Sequence, residues 1–158
     1  QSISARGWDE VEFLISTNPG EAVKPLAQIA SGGELSRIML AIKTVLASRD
    51  DIDTLIFDEI DAGISGKTAW KVSEQLHNVA HAHQVICITH LPQIAAMADR
   101  HFVIEKDARK DSTITRIRQL EGEENLQELG RLLGGDGMTE AVLGNAREMR
   151  QQALDHKH

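Results

Sequence analysis

The chain has 158 residues, 41% of them hydrophobic and 26% charged, which suits one packed domain and excludes a disordered tract. Its formal net charge of −7 argues against a chain that grips DNA nonspecifically by itself, because such binding needs a basic face. The single cysteine, Cys87, excludes an intrachain disulfide and fits a reducing cytoplasm, and no apolar run approaches the ~20 residues that span a bilayer.

No secretory signal opens the chain, and a start at Gln1 rather than Met predicts a piece of something longer. Residues Trp8 to Ser16 alternate, with Val11, Phe13 and Ile15 on one side and Glu10, Glu12 and Leu14 on the other. They predict a half-exposed strand. Asn18-Pro19-Gly20 is a turn, and Glu21 to Ala30 shows no clear period.

Ser31-Gly32-Gly33-Glu34 then opens a helix predicted over about Glu34 to Ser48. Leu35, Ile38, Met39, Ile42, Val45 and Leu46 recur at helical spacing. Serine is a good N-cap, and Glu34 sits at the positive end of the helix dipole. Glycines let a backbone approach a ligand, and the free N–H groups of a first turn attract anions. Ser31, Gly32 and Gly33 can therefore hold a phosphate; a plain capped helix after a turn is the other meaning of the pattern.

Arg49-Asp50-Asp51 ends that helix. Thr54-Leu55-Ile56-Phe57 is apolar on both faces, as in a central parallel strand, and stops at Asp58-Glu59. Ile60 to Gly66 is a loop, and Lys67 to Ala82 a helix burying Ala69, Val72, Leu76, Val79 and Ala80. Gln84 to Thr89 is a second buried strand, ending at His90. Leu91 to Ala98 is a short helix with Pro92 in its first turn. Arg100 to Glu105 and Thr113 to Leu120 predict a hairpin joined by the polar loop Lys106 to Ser112. Two helices close the chain, Glu123 to Leu133 and Met138 to Leu154, split by Gly134-Gly135-Asp136-Gly137. This order predicts βαβ crossovers and a parallel sheet, with ligands at the carboxyl ends of the strands. Asp58, Glu59 and His90 fall there.

Two acids directly after a buried strand are costly unless they are solvated or hold a cation. Asp58 can hold Mg²⁺ in the manner of a Walker B acid, and Glu59 can polarise an attacking water. His90 can bond a γ-phosphate or position a water, or simply be satisfied by backbone. Gly66-Lys67-Thr68 imitates the end of a P-loop, but that motif requires glycine where Asp61 stands, so a helix start is predicted instead. His77, His81 and His83 have partial zinc spacing without a third strong ligand, which predicts a solvated helix face. Arg116 and Arg118 share a strand face and predict an exposed sheet surface rather than a basic strip.

The order of these motifs resembles the second half of an ABC-type ATPase head. Ser31-Gly32-Gly33-Glu34 looks like its signature motif, and Thr54 to Glu59 like Walker B with the catalytic glutamate. Ala62 to Ser65 falls at the D-loop, and His90 at the switch histidine. The stretches Ala30 to Arg37, Phe57 to Gly66 and Cys87 to Ala95 closely resemble the RecN family of bacterial DNA repair proteins, which is SMC-like. The resemblance covers almost all of residues 1–158 as the carboxyl-terminal lobe of such a head. It implies an α/β fold, a mainly parallel sheet flanked by helices with an edge hairpin.

The resemblance further implies ATP and Mg²⁺ as ligands, with Asp58 on the metal and Glu59 and His90 catalytic. Ser31, Gly32, Gly33 and Glu34 would reach the ATP of an opposing head. The implied partners are an amino-terminal lobe carrying Walker A, a second head in an ATP-dependent homodimer, and DNA through the full-length protein, with no membrane. The implied setting is the nucleoid in the cytoplasm, and the implied task is recombinational repair of double-strand breaks. A transporter nucleotide-binding domain is the alternative, but Ser65 stands where its D-loop carries aspartate. A dimerisation module without chemistry is a third reading, disfavoured by Glu59 and His90.

Overall fold

The computed structural model describes residues 7–9, 11–16, 20–28, 31–46, 51–109, 112–135 and 137–157. Glu10, most of the turn at Asn18-Pro19-Gly20, Ala30, Ser48, the helix end at Arg49-Asp50 and Asp136 lie outside them.

The alternating start of the chain yields only a short ribbon. Strand β1 (Leu14–Ile15) pairs antiparallel with β2 (Lys24–Pro25), and a 3-10 turn follows at Leu26–Gln28. Pro25 has no N–H to extend the ladder. The half-exposed strand expected here is mostly exposed: Val11 is 75% exposed and Phe13 65%, and only Ile15 of that side is half-buried.

Helix α1 (Gly32–Leu46) starts two residues before the predicted point, because both glycines are already helical. Ser31 caps it as expected: its Oγ accepts from the Glu34 N–H at 3.4 Å, and its carbonyl accepts from Leu35 N–H at 3.1 Å. The apolar stripe behaves differently from expectation. Of the helix only Gly33 and Leu40 are buried, while Leu35, Met39, Val45 and Leu46 are exposed.

Strand β3 (Thr54–Phe57) runs parallel to β4 (Gln84–Cys87), with Thr54 opposite Gln84 and Phe57 opposite Cys87. The crossover between them is α2 (Gly66–Ala80). It buries Ala69, Val72, Leu76 and Val79 as predicted, whereas Ala80 is half-buried. Leu55 and Phe57 join Val72, Leu76, Val79, Ile60 and Ile94 in one core. The opposite face of the pair is open, which corrects the expectation of two buried strands: Ile56 is 67% exposed, and Ile86 and Ile88 are exposed too. Parallel strands are normally covered on both faces.

Helix α3 (Pro92–Met97) has its proline in the first turn and buries Ile94 to Met97. Strands β5 (His101–Arg109) and β6 (Ser112–Leu120) form the predicted hairpin, longer than expected because pairing continues to Arg109↔Ser112. Among the described residues its ladder is separate from the parallel pair, so the hairpin is a sheet of its own rather than an edge of the first. Helices α4 (Gly122–Gly134) and α5 (Glu140–His156) then pack with α3 around Ala95, Ala96, Met97, Leu129, Ala146 and Ala153. Thr139 caps α5, its hydroxyl accepting from Val142 N–H at 3.3 Å. The architecture is α/β, a parallel pair flanked by helices beside an antiparallel hairpin. Among the described residues no helix is long and apolar enough to cross a membrane.

Candidate functional site

Parallel register places two chain exits side by side. Phe57 lies opposite Cys87, and the Ile88 N–H donates to the Phe57 carbonyl at 3.0 Å. The segment after β3, which carries Asp58 and Glu59, therefore meets the segment after β4, which carries Thr89 and His90.

The first of these segments is held tightly. The Asp58 carboxylate accepts from the Glu59 N–H at 2.9 Å. Glu59 takes φ of +56°, the one non-glycine residue with positive φ among those described. Such a conformation costs on the order of 1–3 kcal/mol and persists only where the surroundings impose it. Here they do. Ser36 Oγ donates to the Asp58 carbonyl at 2.7 Å, and Arg37 Nη1 donates to the carbonyls of Ile60 and Ala62 at 3.0 and 2.8 Å. The Ala62 N–H closes a turn onto the Glu59 carbonyl at 3.0 Å, and the Ile60 side chain is fully buried beneath.

The two glycines of the opening motif make this possible. A Cβ at Gly33 would stand 2.8 Å from both Ala62 Cβ and the Glu59 carbonyl oxygen. A Cβ at Gly32 would collide with the Glu59 carboxylate. The room expected for a ligand is thus bordered by the chain's own loop, with the Glu59 carboxylate lying against the first turn of α1. Ser31 and Glu34 are half-buried at the same helix end.

On the other flank stands Asp61, 4% exposed. Its Oδ2 accepts from Thr89 Oγ1 at 2.6 Å and from the His90 N–H at 2.8 Å, and His90 Nδ1 lies 2.9 Å from the same oxygen. The Leu91 N–H in turn donates to Thr89 Oγ1 at 3.0 Å. The His90 side chain remains 73% exposed. Below it the Cys87 thiol is pushed up to about 12, by burial first and then by the charges of Asp61 and Asp58.

The residues assigned to catalysis, metal and nucleotide therefore gather around the 58–62 loop: Ser31, Gly32, Gly33 and Glu34 on one side, His90 on the other, Asp58 and Glu59 between. Sequence reasoning missed Asp61, Ser36, Arg37 and Thr89. Asp61 entered only as a departure from a P-loop, yet a third acid after a strand, beside a neighbour ending in Thr-His, was the available signal. Asp58 fits a magnesium ligand: it is an exposed carboxylate at a strand's carboxyl end, fixed in orientation by the Glu59 N–H.

The other motifs resolve into structure. Gly66 has φ of +53°, Lys67 and Thr68 are exposed, and the stretch is the start of α2, as predicted. His77 and His81 pack edge to face with centroids 4.7 Å apart. Burial, and then the neighbouring His81, lower the pKa of His77. His83 is not on a solvated face, as expected, but buried, with Nδ1 donating to the Ile52 carbonyl at 2.6 Å. Among the described residues no cluster of three or more His, Cys, Asp or Glu is arranged to hold a metal. Arg118 grips both Glu124 oxygens at 2.8 Å, so its strand face is exposed and charge-paired.

No protein-family model matches the chain. It is similar to the DNA repair protein RecN of Bacillus subtilis, 47% identical over 151 residues, 96% of this chain and 26% of that protein. The Treponema pallidum protein of the same name is 52% identical over 143 residues, 90% of this chain and 25% of its own length. That of Vibrio cholerae is 46% identical over 146 residues, 92% and 26%. The chain spans about a quarter of the length of these curated relatives. A solved structure from work on ATP-driven dimerization and DNA-stimulated activation of SMC ATPases aligns with a TM-score of 0.49 at 24% identity, over 78% of this chain and 81% of that one.

Proposed function

The chain is homologous to RecN DNA repair proteins along at least 90% of its length, and from that premise we propose that it is the carboxyl-terminal lobe of an SMC-like ATPase head acting in the repair of DNA double-strand breaks. The observation that carries this reading is the 58–62 loop, pinned between the start of α1 and His90, which brings Gly32, Gly33, Asp58, Glu59 and His90 together. Asp58 holds Mg²⁺, directly or through water. Glu59 orients the attacking water or takes its proton, and His90 contacts the γ-phosphate. Ser31, Gly32, Gly33 and Glu34 present the amino end of α1 to ATP held by a second head. Bound Mg²⁺ supplies charge neutralisation on the phosphates.

The rest of the site comes from outside the chain. An amino-terminal lobe supplies Walker A, and the uncovered face at Ile56, Ile86 and Ile88 supports a lobe seated there. A groove of about 290 Å³ between α1 and β3, lined by Leu35, Met39 and Ile56, is continuous with that face. ATP joins two heads, hydrolysis releases them, and DNA is engaged by the whole protein at the nucleoid.

Glu59→Gln, in a protein carrying this chain joined to its amino-terminal lobe, tests the reading. ATP binding and head dimerisation should persist while turnover falls about 100-fold or more. Normal turnover would remove Glu59 from the mechanism. The 158-residue chain alone should not hydrolyse ATP, and it should bind DNA weakly given its charge of −7.

A further inference from the structure

We propose that Asp61 is a positioning residue for His90: its buried carboxylate receives the Nδ1 proton of the imidazole and leaves Nε2 as the nitrogen that meets a phosphate oxygen or water. The proposal rests on the catalytic reading of His90 given above.

The geometry is specific. A carboxylate 4% exposed is costly unless its oxygens are well bonded. One oxygen, Oδ2, takes two donors, which hold the backbone of the Thr89–Leu91 turn directly or through the Thr89 hydroxyl. Those two bonds would suffice to fasten the turn. The approach of His90 Nδ1 to within 2.9 Å of the same oxygen does something further. The ring is otherwise open to solvent, 73% exposed, and an unrestrained exposed imidazole samples several rotamers and both tautomers. A carboxylate accepts only, so Nδ1 must carry a proton, whether the ring is neutral or charged. The orientation and the tautomer are fixed together, as outer partners fix the histidines of metal sites.

Asp61 also links the two catalytic flanks. It lies two residues after Glu59 in the loop that Arg37 and Ser36 pin. One short loop thus carries both the carboxylate proposed to direct water and the carboxylate that aims His90. A shift of this loop moves both groups at once.

The experiment is a double-mutant cycle on ATP turnover in the two-lobed protein, with Asp61→Asn and His90→Ala. Asparagine keeps the shape but can offer either a donor or an acceptor to Nδ1, so the lock is lost. Asp61→Asn should lower kcat about 10- to 100-fold, with KM changed less than about 3-fold. In the His90→Ala background the same substitution should lower kcat less than about 2-fold. An equal loss in both backgrounds overturns the proposal, because Asp61 then acts on something other than His90. Full turnover in Asp61→Asn overturns it as well. A second measurement needs no variant: ¹⁵N shifts of the His90 ring in the unmodified protein. A neutral ring protonated at Nδ1 supports the lock, and one protonated at Nε2 overturns it. Unchanged turnover in His90→Ala would instead refute the catalytic reading of His90, and the ring shifts would still decide the lock.

Discussion

Two cores in this chain are built differently. The one under α3, α4 and α5 is closed and made largely of small residues, with Ala96, Ala146, Ala153 and Leu129 all fully buried. Short side chains let those helices approach closely, and Arg150 ties α5 to α3 by donating to the carbonyls of Ala96 and Ala98. The core between α2 and the parallel pair uses large side chains, Leu55, Phe57, Ile60, Leu76 and Val79. It is sealed on that side only. Across the strands Ile56, Ile86 and Ile88 are exposed, and the α1 stripe is open beside them. The candidate site sits at the rim of the open core, with Ile60 of its loop buried in it. The closed core carries none of the candidate site residues.

Paired substitutions separate these roles. Ile60→Ala and Leu129→Ala each remove a fully buried aliphatic side chain and should each cost about 2–5 kcal/mol in denaturant unfolding. Only Ile60 anchors the loop that carries Glu59. In the two-lobed protein, under conditions where both variants are folded, Ile60→Ala should also lower kcat while Leu129→Ala leaves it near the parent value. Equal losses of turnover would break the distinction between the two cores. Gly33→Ala comes next. Its methyl group would press on Ala62 and the Glu59 carbonyl at 2.8 Å, so about 1–3 kcal/mol of destabilisation is expected, with a loss of turnover. A neutral Gly33→Ala would mean that the loop yields freely and that Glu59 is not held in place.

Much of this was legible in the sequence because it was local. Ser31 as a cap, Pro92 in a first turn, the α2 burial pattern and the helix start at Gly66 all follow from residues within a turn or two of one another. Asp58, Glu59 and His90 were legible from their place at strand ends. What failed had its cause elsewhere in space. The α1 stripe and the second face of β3 read as buried because apolar composition and spacing do not tell which face the chain itself covers; Ile56, Leu35 and Met39 are exposed here. Asp61 was overlooked because its partners lie 28 and 29 residues away, joined to it only through parallel register. His83 read as solvated because its helical neighbours are, yet it falls past the end of α2 and reaches back to Ile52.

A smaller, pH-dependent effect marks the inner edge of the site. The Cys87 thiol is raised from 9.0 to about 12, mainly by burial and secondarily by Asp61 and Asp58. The unfolded thiol ionises near 9.0 while the folded one keeps its proton, so in that interval the unfolded state binds fewer protons. This contribution to stability is fully present below pH 9.0 and is lost as pH rises towards 12. Cys87→Ser should therefore flatten the alkaline fall in unfolding free energy relative to the parent. An identical slope in both proteins would mean that the thiol is better solvated than its position on β4 indicates.

The smallest effect in the isolated chain is also the one that sharpens the comparison most. Ile56 points away from the core and is 67% exposed, so Ile56→Ala should change the stability of these 158 residues by no more than about 0.5 kcal/mol. Its neighbour Leu55 in the same strand is 8% exposed, and Leu55→Ala should cost about 2–5 kcal/mol. Joining the amino-terminal lobe should raise the cost of Ile56→Ala towards that of Leu55→Ala, because the open face then becomes interior. Unfolding both variants with and without the added lobe measures the change. If Ile56→Ala stays neutral in the joined protein, the second lobe seats elsewhere, and the exposed isoleucines answer to a different surface. If its cost rises, the open core is closed from outside, and the loop at its rim is completed by the lobe that brings the phosphate-binding half of the site.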